Sequence, residues 1–201
     1  MRVLVLGATG RTGRHLPRLL TAAGHDVVLY GRRLPEGASG VIGALDDSVT
    51  LARALDGADA VIAALGSGLR NPACLTFTRT LLGVAPDGLR HVTVSGATIE
   101  WPGDRRTLAD RIGGALLRTL ARSMIAERQQ EADLLRGAPL RVTLLRPPRL
   151  RNGRRKGRFA FALDRPETAQ IDRADLAAAA VAALARDDLE GRAPFVSWPR
   201  A

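Results

Sequence analysis

Cys74 is the only cysteine in the chain, so no disulfide can form within it and a reducing, cytoplasmic setting is expected. His15, His25 and His91 stand far apart, and with one cysteine they offer no metal-ligand spacing. No apolar run reaches the roughly 18 residues of a membrane span. Only Arg2 stands between Met1 and the first strand-like run, too little for a signal peptide. A mature, soluble chain with no membrane partner is therefore expected. Aromatic residues make up 3%, so Leu, Val, Ile and Ala must fill the core. Lysine is nearly missing: Lys156 is the one lysine among 30 basic residues, and the rest are arginine. The formal net charge of +10 invites a nucleic-acid reading. An Arg- and Ala-rich composition also follows from a GC-rich genome, so the charge is discounted and no nucleic-acid partner is expected.

What is present is ordinary globular composition, 46% hydrophobic and 25% charged, in 201 residues. That length suits one domain over 1–201, monomeric or homodimeric. "RVLVL" at 2–6 reads as a buried parallel strand, followed by a helix from about 11 to 23 that Gly24 closes. Pro17 inside that helix predicts a kink. Strands at 26–30, 40–45, 59–65, 91–96 and 140–148 alternate with helices near 48–56, 72–85, 104–120 and 123–136, and Ser48 reads as the cap of the first of these. A Gly- and Arg-rich loop at 149–158 precedes a strand at 159–163, a helix from Arg173 to Ala185 and a strand at 194–198. Such alternation predicts a parallel sheet with helices on both faces.

Gly7, Gly10 and Gly13 fall between the first strand and the first helix, where a tight turn lets a pyrophosphate approach the backbone. The other reading is a turn that only packs helix on strand. Thr9 and Thr12 add hydroxyls that can donate to phosphate oxygens. At the end of the second strand an NAD site places an acid for the ribose 2′-hydroxyl. Here stand Gly31, Arg32 and Arg33, which suit a 2′-phosphate, with Arg11 as a further contact. Solvated arginines are the alternative. The missing acid favours NADP(H) over NAD(H).

"GATGRTG" at 7–13, "GRR" at 31–33, "DAVIAALG" at 59–66, "HVTVSGA" at 91–97, "EADLLRGAPLRVTLLRPPRL" at 131–150 and "IDRADLAAAAVAAL" at 171–184 span most of the chain. Together they resemble the atypical short-chain dehydrogenases, in particular the NmrA-like and biliverdin/flavin reductase-like NAD(P)H-binding group. The first stretch is shared across the broad superfamily, and "LLRPP" followed by "RADLA" points to this branch. The resemblance implies an α/β, Rossmann-type doubly wound parallel sheet with a small C-terminal substrate-side extension, and NADPH as the usual ligand. It would set the pyrophosphate against Gly10–Gly13, the 2′-phosphate on Arg32 and Arg33, and the dinucleotide along Ala64, Leu65 and Gly66. Ser95 would sit near the nicotinamide, with Pro147, Pro148 and Arg149 beside that end. The group's adenine-touching Asp after the third strand is replaced here by Ala44.

Most short-chain dehydrogenases pair a Tyr with a Lys four residues on for proton transfer. This chain has only Tyr30 and Lys156, which cannot form that pair, and alignment on Glu131 puts Met124 and Arg128 at those positions. Arg128 can bind ribose or polarise a carbonyl, but a guanidinium is a poor proton donor. Ser95 and Arg128 are therefore the candidate catalytic residues, with Ser95 orienting substrate or nicotinamide; its other reading is a serine capping a strand end. "TIEWPGDRR" at 98–106 offers Glu100 or Asp104 as an acid and Trp101 as a wall, or is a surface turn. Glu127, Gln130 and Glu131 read as a solvated helix face. "RLRNGRRKGR" at 149–158 reads as a mobile basic lid over an anionic ligand, or as a plain solvated loop. The leading expectation is an NADPH-dependent reductase of a small conjugated acceptor such as a flavin, quinone or enone, its proton coming from solvent or substrate. A non-redox isomerase or cyclase on the same scaffold and an NADP(H)-sensing regulatory protein remain open.

Overall fold

After Arg2, β1 (Arg2–Leu6) carries only branched apolar side chains, and Val3 through Leu6 are wholly enclosed. A strand buried on both faces belongs in the middle of a parallel sheet. In the computed structural model, which describes residues 1–66, 72–104 and 122–200, β1 pairs with β2 (Asp26–Gly31) on one side and β4 (Ala60–Ala63) on the other. β3 (Gly40–Ile42), β5 (Arg90–Val94) and β6 (Arg141–Leu145) complete a six-stranded parallel sheet in the order β3-β2-β1-β4-β5-β6. The order reverses between β1 and β4, which opens a crevice beyond their carboxyl ends. This is the expected doubly wound, Rossmann-type fold.

Alternate strand residues divide the core between the two faces. Val3, Val5, Ile62 and Val92 pack with Leu16 and Leu20 of α1 (Leu16–Ala22) and Leu176 of α5 (Arg173–Ala183). Leu4, Leu6, Val61 and Ala63 pack with Leu51 of α2 (Ser48–Leu55) and with Phe77 and Leu81 of α3 (Ala73–Val84). α4 (Arg122–Arg136) lies beside α3 and buries Ala132 and Leu135 against Val142 and Leu144 of β6. Each wholly enclosed Leu contributes roughly 1.5–3 kcal/mol, so these residues hold the frame of the crevice.

Beyond β6 the chain builds a small extension. β7 (Arg149–Arg151) pairs parallel with β9 (Gln170–Asp172), and β8 (Ala160–Ala162) pairs antiparallel with β10 (Phe195–Ser197). Leu144 and Arg146 donate backbone N–H bonds to Arg192 and Pro194, so the last segment covers the β6 edge. Arg146, the arginine of "LLRPP", is fully buried here. It bonds the carbonyls of Ala193 and Ile99, forks onto both oxygens of Asp104 at 2.7 Å, and lies over the Phe195 ring at 3.9 Å. A buried guanidinium with this many partners is a structural anchor. Asp175, in "RADLA", does similar work. Its Oδ1 accepts from the backbone of Lys156 and Gly157, and its Oδ2 accepts from the Trp198 indole.

Several local expectations change. A 3-10 turn at Gly13–His15 precedes α1, so Pro17 falls in the first helical turn, where its missing N–H breaks no bond, and no kink is needed. Asp47, not Ser48, caps α2, its carboxylate accepting from Thr50 N–H at 2.9 Å. The third strand stops at Ile42 and the sixth at Leu145, each shorter than its apolar run. β9 was not anticipated, and the helix expected at 104–120 lies almost wholly outside the described residues. Among the described residues no helix is long and apolar enough to cross a membrane, and no cluster of His, Cys, Asp or Glu could hold a metal ion.

Candidate functional site

The glycine turn is shaped by what surrounds it. Gly7 has a φ of 81°, and a Cβ there would come within 2.5 Å of the Ala64 carbonyl at the end of β4. A Cβ on Gly13 would collide with the Gly7 carbonyl, and one on Gly10 would stand 3.0 Å from the same oxygen. Gly10 N–H closes the turn onto Gly7 O at 2.8 Å. The glycines therefore do pack helix on strand, as the bland reading held, and the same compactness leaves backbone open at the crevice floor. The hydroxyls of Thr9 and Thr12 make no hydrogen bond among the described residues.

Two cavities meet over this turn. The smaller, about 210 Å³, is lined by Gly7, Thr9, Gly10, Gly31, Arg32, Arg33, Ala64, Leu65 and Gly66, with Tyr30 in its wall. Tyr30 is buried and its hydroxyl donates to Ala44 O at 2.7 Å, so its proton is engaged away from the reaction centre. Arg32 and Arg33 are exposed and meet no carboxylate among the described residues. The larger cavity, about 620 Å³, shares Thr9, Gly10, Ala64, Leu65 and Gly66 and adds Arg11, Thr12, Val94, Ser95, Gly96, Thr98, Met124, Ile125, Arg128, Leu150 and Arg173. Arg11 lines the larger cavity, whereas Arg32 and Arg33 line the smaller.

Ser95 and Arg128 come together in the larger cavity. The backbone of Ser95 extends the ladder, N–H to Leu145 O at 2.8 Å, while its Oγ is enclosed without a hydrogen-bond partner. A buried hydroxyl left in that condition caps nothing among the described residues and keeps its bonding capacity unused. Arg128 is mostly engaged already. Its Nη2 donates to Leu65 O at 2.8 Å, and its Nη1 donates to Val94 O at 3.2 Å and Glu131 Oε2 at 2.9 Å. It therefore ties the carboxyl ends of β4 and β5 together beneath the cavity. Burial disfavours its charge, yet the facing Cys74, Glu131 and Glu127 hold its pKa above the ordinary guanidinium value. Burial in turn raises the Glu131 carboxyl, with Arg128 pulling the other way.

The face expected to be solvated is otherwise. Only Gln130 is exposed; Glu131 is buried, and Glu127 is buried with Oε1 accepting from Cys74 N–H at 3.1 Å and Leu75 N–H at 3.0 Å. Glu127 thereby caps α3, which has no side-chain cap of its own. Asp104 is committed to Arg146, Glu100 is exposed, and Trp101 packs beside Ile99 and Leu135, so of the 98–104 stretch Thr98 alone reaches the cavity. Pro147 is buried, its carbonyl accepting from Ala97 N–H, and neither it nor Pro148 lines the two cavities. The stretch expected as a loop at 149–158 begins with β7, and its remaining residues 152–158 are exposed but tethered through Asp175 and by Lys156, whose Nζ lies 3.5 Å from the Trp198 ring centre. Ile125, Leu150 and Arg173 line the cavity although no sequence pattern singled them out as site residues, and Met124 joins them from the position where the alignment sets the missing tyrosine; α4, β7 and α5 supply these residues, and only the fold brings them together.

The residues fit a nicotinamide dinucleotide: a turn that added Cβ atoms would fill, an orphaned hydroxyl, and paired arginines at the far end. Comparison with known proteins agrees. The NAD(P)H-binding family model matches residues 7–187. The (4-alkanoyl-5-oxo-2,5-dihydrofuran-3-yl)methyl phosphate reductase of Streptomyces griseus is 33% identical over 215 aligned positions, covering 99% of this chain and 68% of its own. A short-chain dehydrogenase/reductase of Veillonella parvula, solved with NADP, is 20% identical with a TM-score of 0.77, covering 98% of this chain and 94% of its own. ChuY, an anaerobilin reductase of Escherichia coli O157:H7, is 20% identical with a TM-score of 0.74, covering 100% and 98%. These two likenesses concern the fold. With the family match running from the first glycine of the turn to Asp187, the chain belongs to the NAD(P)H-binding family and is an oxidoreductase.

Proposed function

We propose that the protein is an NADPH-dependent reductase of a small conjugated acceptor, a flavin, quinone or enone, working without a Tyr/Lys pair. The observation that carries this reading is the division of the crevice by the glycine turn. Unpaired arginines and no acid lie on one side, and a roomier cavity with the orphaned Ser95 hydroxyl lies on the other. Arg32 and Arg33 supply charge-assisted bonds to a 2′-phosphate, which an acid at Gly31 would repel. Backbone of Gly10–Gly13, with the Thr9 and Thr12 hydroxyls, holds the pyrophosphate.

NADPH held by Arg32, Arg33 and the Gly10–Gly13 turn would supply a hydride for the β-carbon of an enone-type acceptor, with a solvent proton for the α-carbon, so that NADP⁺ and the saturated product would result. Ser95 Oγ donates to the acceptor carbonyl, steadying the charge that gathers there as the hydride arrives. Arg128 acts as a positioning residue, fixing the Leu65 and Val94 carbonyls that floor the cavity. The 33%-identical relative supports this class, since its name specifies a 5-oxo-2,5-dihydrofuran, a ring whose carbon–carbon double bond is conjugated to a carbonyl. A reducing cytoplasm suits the single, buried Cys74.

The test is NADPH consumption, followed by nicotinamide absorbance, across a panel of flavins, quinones and unsaturated lactones. Turnover of at least one acceptor class is expected. Tight NADPH binding with no turnover of any acceptor would overturn the reductase reading in favour of a sensor or a non-redox enzyme.

A further inference from the structure

We propose that the acceptor carries an oxyanion, a phosphate monoester or a carboxylate, and that Arg11 and Arg173 hold it at the larger cavity. This rests on the reductase reading and narrows it to a class of substrate. Arg11 projects from the glycine turn, and Arg173 opens α5 immediately after β9; both line the cavity that holds Ser95 and Arg128. No Asp or Glu lines it among the described residues. The charge of Arg128 is answered by Glu131 at 2.9 Å, whereas neither Arg11 nor Arg173 has a carboxylate partner among the described residues.

Arg173 is fixed in place rather than loose. One Nη1 bond to Asn152 Oδ1 at 2.7 Å orients the guanidinium and leaves most of its donors free. Its surroundings oppose its charge: burial lowers its pKa, and Arg11 and Arg14 lower it further. A cation in the first turn of α5 also runs against the helix dipole. Arg11 and Arg14 thus act against the charge of Arg173, no carboxylate lines the cavity among the described residues, and a bound oxyanion relieves that repulsion. The cofactor's 2′-phosphate is assigned to Arg32 and Arg33 in the other cavity, and its pyrophosphate, held by the Gly10–Gly13 backbone beside Arg11, is the competing anion that the NADP⁺-saturated complex already contains.

The experiment titrates phenyl phosphate, benzoate and benzyl alcohol into the free protein and into its NADP⁺-saturated complex by calorimetry. Phenyl phosphate or benzoate should bind the complex at least about tenfold more tightly than benzyl alcohol, as charge-assisted arginine bonds require. The stronger of the two tells phosphate from carboxylate. Arg173→Gln should weaken that anion about tenfold, and adding Arg11→Gln should erase its margin over the alcohol. NADPH affinity of Arg173→Gln should change less than about twofold, which a residue serving the cofactor would not allow. Anion binding unaltered in the double variant, or NADPH affinity falling in step with it, would overturn the proposal. If the wild type binds no NADP⁺, the reductase reading fails, and the free-protein titration still decides the oxyanion site. Should the double variant not fold, the two single variants give the same comparison.

Discussion

The phosphate-reading role proposed for Arg32 and Arg33 rests on Gly31, the last residue of β2, standing where an acid would read a ribose hydroxyl. Replacing both with alanine should weaken NADPH by about ten- to a hundredfold and NADH by less than about threefold, since only NADPH loses phosphate bonds. Fluorescence titration of both nucleotides checks this, and equal losses would show that the arginines read something else. His91 makes a different point. It lies wholly inside β5 against Phe77, and burial lowers its pKa to about 4. In the unfolded chain the imidazole titrates near 6.5, so protons favour unfolding between those values. Its contribution is complete above about pH 6.5 and is lost progressively as pH falls towards 4, by about 3 kcal/mol in all. Urea midpoints near pH 7.5 and 4.5 should differ less in His91→Leu than in the wild type. An unchanged difference would locate acid sensitivity in other groups.

The secondary elements were legible in the sequence wherever a hydrophobic run had turn residues at both ends. β1, β2, β4 and β5 came out within a few residues, because buried parallel strands are apolar throughout. The turn residues Gly7, Gly10 and Gly13 were legible for the same local reason. What escaped was anything decided by partners distant in sequence. Asp47 and Ser48 are both acceptable caps, and only the backbone geometry chooses between them. Glu127 and Glu131 looked like a solvated face because charge pattern alone cannot show that α4 lies against α3 and β5. Glu127 then matches a helix terminus about fifty residues away, where two backbone N–H groups would otherwise be buried unpaired. Glu127→Ala should cost about 1–3 kcal/mol in denaturant midpoints, and should fray α3 first in hydrogen exchange at Cys74 and Leu75. Uniform exchange across the helix would argue against the cap.

At the scale of the whole molecule, the sheet order places the carboxyl ends of β1, β2, β4 and β5 around one crevice, and the glycine turn divides it. The net charge of +10 was set aside as compositional, and much of it is spread over exposed arginines. A part of it is placed: Arg32 and Arg33 on one side of the turn, Arg11 and Arg173 on the other. On the proposed reading, cofactor end and acceptor end each have their own cations without a carboxylate partner among the described residues. The motifs marking the branch do structural work, with Arg146 of "LLRPP" anchoring Asp104 and Asp175 of "RADLA" pinning the basic loop. On the proposed reading chemistry is left to positioning across the turn, and no tyrosine lines the larger cavity among the described residues. The most direct measurement is isotope transfer: NADPH deuterated at the nicotinamide C4, incubated with the unsaturated lactone turned over fastest, whose new carbon–deuterium bond does not exchange with water, and the product weighed by mass spectrometry. One deuterium per product molecule is predicted from one C4 face of the cofactor; a product without deuterium from either face would contradict hydride transfer at this site.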